Sequence, residues 1–375
     1  MKKIYDNLNI RIPIANPNIG EEEARAVYEV VRSGWINEGE KVREFEDRVK
    51  DLVGTEYAVA FFNGTVALHS ILLAYGIGKG DEVIVPSMTF ISTATSVLHA
   101  NATPIFSDID PETFNIDPND IEKRITPRTK AIMPVHYGGQ SADMDEIIEI
   151  AKRHNLIVIE DAAEAIGARY KDRMVGNLGD AAMFSFTPTK NITTAEGGVV
   201  TTNDKIVAKK LRLLKNHGME APYHHVMVGY NYRMTEMQGA MGVEQLKKLG
   251  KILEKKYNIA QRYERGLSNI KGIIVPKTKQ NRNHTYQMYT IRIVEEDCKI
   301  GRDELAERLA KKGIQTKVYF PPVHLQPIFK NSRHQIDKLP VTEKISKEIL
   351  SLPCHSRLTE DELDYICSCI ESLMR

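Results

Sequence analysis

The sequence predicts an α/β protein with a largely parallel sheet, followed by a smaller α+β unit. From about residue 20 to residue 200, short β-branched runs alternate with segments of helical periodicity. Strands and helices that alternate at these intervals are typical of crossover connections in a parallel sheet. The strands also lack a regular alternation of polar and apolar residues, which indicates that helices cover both faces of the sheet.

The elements of this first part follow one another as strand, helix and strand. EVIVP at residues 82–86 precedes a predicted helix from about Thr89 to Ala100, and TPIFSDID then begins the next strand. AIMPV at residues 131–135 precedes a predicted helix near Met144–His154, and LIVIE at residues 156–160 follows it. Each set has the order expected of one crossover unit.

The second part follows a helical pattern at residues 240–268, which is long enough to connect two domains. Beyond it the sequence predicts a small α+β unit, with strands at 286–294 and 316–320 and helices at 303–312 and from Thr359 onward. A length of 375 residues is consistent with two domains. We place the boundary near residue 250, which divides the chain into a large domain, 1–250, and a small C-terminal domain, 251–375.

Composition and charge exclude several classes of function. The 51 Lys and Arg residues nearly balance the 50 Asp and Glu residues, so the net charge of +1 provides no basic field for nucleic acid or an anionic membrane. No apolar run approaches the roughly 18 residues of a membrane span. The first residues also lack the apolar run of a signal peptide. We therefore expect a cytoplasmic protein without a nucleic-acid or membrane partner.

Cysteine and histidine spacing argues against a disulfide framework and against a metal site. No two cysteines have the CxxC spacing of a zinc or redox motif; they are Cys298, Cys354, Cys367 and Cys369. The pair His224-His225 lacks the spacing and the companion carboxylate of a metal site. We expect no bound metal.

The first candidate site follows the strand that is predicted at the start of the segment YAVAFFNGTVALHSILLAYG. Asn63, Gly64 and Thr65 stand between this strand and a helix that is predicted to begin near Val66. A helix N-terminus with a small residue and a hydroxyl suits a phosphate group, because its free N–H groups and dipole attract an anion. The alternative is an ordinary tight turn in which Thr65 caps the helix.

The second candidate site lies at the end of the predicted strand LIVIE. Glu160 and Asp161 place two carboxylates where the strand is expected to be buried. A buried carboxylate needs a positive partner or hydrogen bonds, since isolated burial is unfavourable. Asp161 is either a helix N-cap or an anion that keeps a ring nitrogen protonated, and this segment alone does not decide between the two.

The third candidate is Lys190, in the turn after a strand that ends at Ser185-Phe186. A lysine in such a turn is usually solvated. Here it accompanies a predicted phosphate site and a predicted buried Asp161, both at carboxyl ends of strands. A lysine that forms a Schiff base and an aspartate that pairs with a pyridinium nitrogen are the protein's contribution to pyridoxal phosphate chemistry.

Longer motifs of the sequence resemble those of one known protein family. They include SGWINEGEKVREFE, NGTVALH, GDEVIVPSMTFISTA, VHYGGQSADMD, IEDAAEAIGA, FSFTPTKNITTAEGG, GYNYRMTEMQGAMG and PPVHLQPIF. In order and spacing the chain resembles the DegT family of sugar aminotransferases, which are fold-type I pyridoxal phosphate enzymes. That resemblance implies a fold-type I transferase, with a mostly parallel seven-stranded sheet between helices in the large domain and an α+β C-terminal domain.

The resemblance also implies roles for individual residues around pyridoxal 5'-phosphate. Lys190 would bind the cofactor covalently and move protons, and Asp161 would pair with the ring nitrogen. The phosphate would be held by Gly64, Thr65 and Ser185, and the two faces of the ring would contact Phe90 and Ala163. Asn231, helped by Arg233, would reach the phosphate from the neighbouring subunit, which implies a homodimer with shared sites.

The same resemblance points to a substrate. The resemblance places Glu164 near the cofactor. With a Glu at this position, the chain resembles the family members that aminate carbon 4 of a 4-keto-6-deoxyhexose, such as perosamine synthases. Trp35, Tyr319 and His324 are the candidates for substrate contacts. We expect transfer of an amino group from glutamate to a nucleotide-linked keto sugar in polysaccharide biosynthesis. A cyclitol or other ketone as acceptor and a non-catalytic regulator are the alternatives, and the choice of carbon 3 or 4 stays open.

Overall fold

A seven-stranded sheet forms the centre of the protein. The computed structural model describes residues 10–330 and 338–375. The strands of the central sheet are β1 Tyr57–Phe61, β2 Glu82–Pro86, β3 Thr103–Ser107, β4 Thr129–Ile132, β5 Ile157–Asp161, β8 Ala181–Ser185 and β9 Gly198–Thr202. Two short hairpins lie outside it, formed by β6 Arg169–Tyr170 with β7 Arg173–Met174 and by β10 Met219–Ala221 with β11 His224–His225.

The central sheet is mostly parallel, as predicted. Its order is β1-β9-β8-β5-β4-β2-β3. The pairs β2–β3, β2–β4, β4–β5 and β5–β8 are parallel, whereas β9 is antiparallel to both of its neighbours. Six strands therefore run in one direction, and their carboxyl ends meet at one edge of the sheet.

Helices cover both faces of this sheet. The helices of the first part are α1 Glu21–Ser33, α2 Glu40–Val53, α3 Gly64–Ala74, α4 Ser92–His99, α5 Pro118–Arg124, α6 Met144–His154 and α7 Lys205–Lys215. Along β2, Ile84 packs into one apolar cluster while Val83 and Val85 pack into the cluster on the opposite face. This two-sided burial explains why the strands lack a polar face.

The C-terminal part forms its own core. Its helices are α8 Glu236–Leu267, α9 Arg302–Lys311, α10 Pro327–Lys330, α11 Pro340–Glu348 and α12 Glu360–Met374, and its antiparallel sheet contains β12 Ile273–Ile274, β13 Tyr289–Ile293 and β14 Ile349–Leu352. Thr359 caps α12 and exchanges hydrogen bonds with Glu362, which accounts for the predicted start of this helix.

The predicted strand at 316–320 is wrong. Only Lys317 pairs there, through backbone hydrogen bonds in both directions with Ser351 of β14. Pro321 and Pro322 follow Phe320, and because proline has no N–H to donate, the pairing cannot continue beyond Phe320. The residues beyond Lys317 turn instead toward a cavity that the central sheet borders.

Two segments connect the central sheet to the C-terminal core. The 32-residue helix α8 crosses residue 250 and ends in that core, where Tyr263 and Leu267 are buried. Near the N-terminus, Ile12 exchanges backbone hydrogen bonds with Gly313 and Gln315 and is buried in the same core. The assignment of residues 1–250 to a large domain stays a prediction, and Ile12 packs with the other part of the chain.

In the ranges 10–330 and 338–375, no helix combines the length and the apolar character that crossing a bilayer requires. The four cysteines are free thiols, and three of them are buried. The described residues also contain no group of three or more His, Cys, Asp or Glu side chains placed to hold a metal ion.

Candidate active site

A cavity of about 830 Å³ lies where the carboxyl ends of β1, β5 and β8 meet. Nine of the residues singled out in the sequence line it: Gly64, Thr65, Phe90, Asp161, Ala163, Glu164, Ser185, Lys190 and Tyr319. The C-terminal part supplies the opposite wall, including Gln287, Lys317 and Phe320. The cavity thus combines the three separate strand-end motifs in one place.

One end of the cavity is the N-terminus of α3. Asn63 caps this helix, because its side-chain oxygen accepts a hydrogen bond of 3.1 Å from the Val66 N–H. The interpretation of Thr65 as the cap is therefore wrong. The Thr65 hydroxyl forms a 2.7 Å hydrogen bond with the Ser92 hydroxyl instead, at the start of α4. An exposed helix terminus with two hydroxyls beside it suits a phosphate group.

The backbone at this end is closely packed. A Cβ atom on Gly64 would lie 3.0 Å from the Met183 sulfur and 3.3 Å from the Ser185 Cβ. Beneath the loop, a Cβ atom on Gly198 of β9 would lie 2.6 Å from the Asn63 carbonyl group. The two glycines let the loop lie directly on the ends of β8 and β9, which fixes the helix terminus against the sheet.

Asp161 lies deeper in the cavity and is 4% exposed. Its Oδ2 accepts a 2.7 Å hydrogen bond from the Thr93 hydroxyl, and its Oδ1 accepts a 3.2 Å bond from the Ala163 N–H. Burial raises the pKa of Asp161, although these hydrogen bonds and the charge of Lys190 oppose that effect. No helix follows Asp161, so the N-cap interpretation is wrong. A buried carboxylate bonded by neutral donors suits a cationic nitrogen of a ligand.

Lys190 projects between the two acidic groups. Its side chain is 14% exposed, and its Nζ lies 3.5 Å from Glu164 Oε1. The other carboxylate oxygen of Glu164 accepts a 2.9 Å hydrogen bond from the Gly138 N–H, which fixes the orientation of the carboxylate. An amine held by a buried carboxylate, beside an anion site and a second carboxylate, can attack a carbonyl carbon and transfer protons.

The other four candidates do not line this cavity. Trp35 is 65% exposed and lies beside Gly39 and Glu236. His324 is buried, and its Nδ1 lies 2.6 Å from the Ser87 hydroxyl. Arg233 donates hydrogen bonds to the side-chain oxygens of Asn231 and Asn216. The roles assigned to these four candidates, Trp35, Asn231, Arg233 and His324, stay predictions.

Sequence reasoning missed several residues of the site. Thr93 holds Asp161, and its hydroxyl lies 2.7 Å from that of Thr89. The signal was the run of hydroxyl residues in SMTFISTATS, directly after β2. Lys317 and Gln287 had no such signal, because their segments reach the cavity only through the packing of the C-terminal part.

Comparison with protein families supplies one match over nearly the whole chain. Residues 17–371 match the model of the DegT/DnrJ/EryC1/StrS aminotransferase family.

Individual relatives agree with that match over their full length. The chain is 43% identical to a GDP-perosamine synthase of Caulobacter vibrioides over 368 residues, which cover 97% of this chain and 98% of that protein. It is 40% identical to the spore coat polysaccharide biosynthesis protein SpsC of Bacillus subtilis, with 97% of each chain covered. The crystal structure of DesI in the presence of its TDP-sugar product is similar at a TM-score of 0.91 and 32% identity, covering 98% of this chain and 93% of that one.

Proposed function

Because the chain belongs to the DegT/DnrJ/EryC1/StrS aminotransferase family, we propose that it transfers an amino group from glutamate to a keto group of a nucleotide-linked sugar. The enzyme is an aminotransferase that depends on pyridoxal 5'-phosphate. The observation that carries the proposal is the cavity in which Lys190, Asp161 and the N-terminus of α3 come together.

The residues of the cavity fit pyridoxal 5'-phosphate. The terminus of α3, with Gly64, Thr65 and Ser185, would hold the phosphate group, and Asp161 would face the ring nitrogen. When bound, the cofactor supplies the carbonyl carbon that accepts an amino group and a ring that withdraws electrons. Phe90 and Ala163, also in the cavity lining, would contact the two faces of the ring.

Proton transfer in the proposed reaction belongs to the side chains. Asp161, buried and bonded by Thr93, keeps a proton on the facing ring nitrogen by offering an anion where water is excluded. Lys190 would remove the proton from the α-carbon of the amino donor as general base and, as general acid, deliver it to the cofactor carbon that takes up the amino group. Glu164, 3.5 Å from the Lys190 amine, stabilises its protonated form during this transfer.

The names of the relatives support a nucleotide-linked acceptor. One is a GDP-perosamine synthase, and another was solved with a TDP-sugar product. Both named products combine a sugar with a nucleoside diphosphate, and Glu164 favours amination of carbon 4 in a 4-keto-6-deoxyhexose. We propose polysaccharide biosynthesis as the setting, on the name of the B. subtilis relative. The charge balance and the four free cysteines support a cytoplasmic location.

Substitution of Lys190 tests the reaction. Lys190→Ala should reduce the rate of amino transfer by a factor on the order of 10² to 10⁴ or more, because the proton-transfer group is lost. In the wild type, the visible absorbance of the bound aldehyde cofactor should disappear when glutamate is added, and a nucleotide-linked keto sugar should restore it. Restoration by a free cyclitol ketone alone would instead favour the alternative acceptor.

A mixing experiment tests the proposed homodimer. We propose that Asn231 and Arg233, which lie outside the cavity of their own chain, complete the site of the partner subunit. Mixed Lys190→Ala and Asn231→Ala/Arg233→Ala proteins should then form hybrid dimers with one intact site. Half of the dimers would be hybrid, so the activity should recover to about a quarter of the wild-type value. If the two residues act within their own chain, mixing restores nothing.

A further inference from the structure

A buried lysine lies behind the loop that carries Lys190, and the mechanism above does not use it. Lys256 of α8 is 4% exposed. Its Nζ donates a 2.6 Å hydrogen bond to the side-chain oxygen of Asn191 and a longer one, 3.4 Å, to the carbonyl oxygen of Gln287. It therefore contacts the residue that directly follows Lys190 in the chain.

The hydrogen bonds around Lys256 hold the loop on both sides of Lys190. On one side, Asn191 also donates a 3.3 Å bond to the Thr285 carbonyl oxygen. On the other side, the Gln287 side chain donates a 2.6 Å bond to the carbonyl oxygen of Thr189. The carbonyl group of Thr189 before Lys190 and the side chain of Asn191 after it are thus bonded to one short segment, 285–287, and Lys256 contacts both Asn191 and that segment.

The surroundings of Lys256 do not favour a charge. Burial, with a contribution from the charge of Lys190, lowers the pKa of Lys256 to about 8. Two neighbouring titratable groups are neutral at physiological pH, since burial lowers the pKa of His284 to about 3 and raises that of Cys354 to about 11. Among residues 10–330 and 338–375, no carboxylate forms an ion pair with Lys256. A buried amine of this kind is costly, so packing alone does not explain a lysine at this position.

We propose that Lys256 is a positioning residue for Lys190. By holding Asn191 and the Gln287 backbone, it fixes the loop of residues 189–191 so that the Lys190 amine projects into the cavity toward Glu164. The inference rests on the proposed catalytic role of Lys190. A small displacement of a reacting group is sufficient to slow a reaction strongly, and Lys256 prevents such a displacement.

The test compares Lys256→Met with Lys255→Met, which removes the adjacent, exposed lysine of the same helix. In single-turnover reactions with glutamate, Lys256→Met should lower the maximal rate constant by about 10- to 100-fold. The glutamate concentration at half-maximal rate should change by less than about twofold, because Lys256 does not contact the donor. Lys255→Met should behave as wild type, and Lys256→Arg, which keeps the charge and the donors, should recover most of the rate.

Asn191→Ala is a second test of the same proposal, and it can still be made if Lys256→Met fails to fold. It should lower the rate constant similarly, and the double variant should be little worse than either single variant, because both changes remove the hydrogen bond between Lys256 and Asn191. In the cofactor-free protein, amide hydrogen exchange at residues 187–194 should become faster in both single variants and stay unchanged in Lys255→Met.

Three results would overturn the inference: a wild-type rate in Lys256→Met, additive effects of the two substitutions, or unchanged exchange in the loop. They are distinct from a failure of the proposed function, which would appear as amino transfer persisting in Lys190→Ala.

Discussion

The burial of the Asp161 carboxylate is unfavourable for stability but suits the role that we propose for it. Its carboxylate is buried, and its two hydrogen bonds come from a threonine hydroxyl and a backbone amide, neither of which is charged. Without a ligand, the ionised form is therefore poorly stabilised, and burial raises the pKa of the group. The binding of a protonated ring nitrogen would supply the missing positive charge, so the unfavourable burial is converted into affinity for the cationic form of the cofactor.

A pH series on Asp161→Asn tests the effect of this burial on stability. Because the pKa is higher in the folded than in the unfolded protein, the folded state holds its proton more firmly, and stability is lost as the pH rises through the folded value. The melting temperature of the cofactor-free variant, relative to wild type, should therefore be higher at pH 8 than at a pH below the ordinary aspartate pKa of about 4. Amino transfer should fall by about 10²-fold or more, since a neutral amide does not keep the ring nitrogen protonated. A melting-temperature difference that is the same at both pH values would contradict the argument.

The residues of the site differ in how far the sequence could predict them. Lys190, Asp161 and Gly64 stand at or shortly after the carboxyl ends of strands, so the topology of a parallel sheet was sufficient to place them together. Thr93 acts from the first turn of α4, and its role depends on the rotation of that helix against β5, which local sequence does not determine. Lys256 is further from prediction, because a lysine in a long helix is normally exposed and only tertiary packing buries it.

At the scale of elements, the contact between β9 and the loop before α3 determines the position of the helix terminus that we propose as the phosphate site. Gly198 pairs with Phe61 of β1 on one side and with Ser185 of β8 on the other. Because it has no side chain, Asn63 and Gly64 can lie directly over it. Three strands and one helix terminus therefore meet at a point where any added atom would displace the loop.

Gly198→Ala should expose this constraint. The new Cβ atom would lie 2.6 Å from Asn63 backbone atoms and 2.8 Å from the Gly64 nitrogen, so the loop must move. Overpacking of this kind typically costs about 1–3 kcal/mol, so pyridoxal phosphate should bind about 5- to 150-fold more weakly in a direct titration. Gly250→Ala is the matched control. Its Cβ would meet no atom within 4 Å, and in α8 it should stabilise the protein by about 0.5–1 kcal/mol. Equal affinity in the two variants would contradict the proposed constraint.

The elements themselves were largely predictable where a local signal marked their ends. The predicted helix near Met144–His154 has those bounds in the structure, with acidic residues in its first turn and basic residues in its last. The prediction of a strand at 316–320 failed because it rested on the local β-branched composition. A strand also needs a neighbouring strand to pair with along its whole length. Pro321 and Pro322 also prevent pairing from continuing beyond Phe320.

At the scale of the whole molecule, the cavity requires both parts of the chain. The central sheet supplies the strand ends, while Lys317, Tyr319 and Phe320 close the opposite side. Ile14 and Ala15, just after the segment that pairs with the C-terminal core, also line the cavity. Stability of the C-terminal core and shape of the cavity are therefore coupled.

Ile12→Ala tests this coupling. Ile12 is 4% exposed and packs in the C-terminal core, so truncation should reduce the free energy of unfolding by about 2–4 kcal/mol in urea denaturation. Because the same segment continues into the cavity wall, the Michaelis constant for the keto acceptor should also rise. Val31→Ala, at an exposed position of α1, is the control and should change the unfolding free energy by less than about 0.5 kcal/mol. A destabilised Ile12→Ala enzyme with an unchanged Michaelis constant would show that the two properties are independent.

The chain passes between the central sheet and the C-terminal core twice, once near Ile12 and once along α8. Two bodies joined at one point can rotate relative to each other in any direction. Two bodies joined at two separated points can rotate only about the line between these points. Any movement of the two parts relative to each other would thereby be restricted to rotation about a single axis. Tyr319 and Lys317, which line the cavity together with Lys190, would then move along one arc.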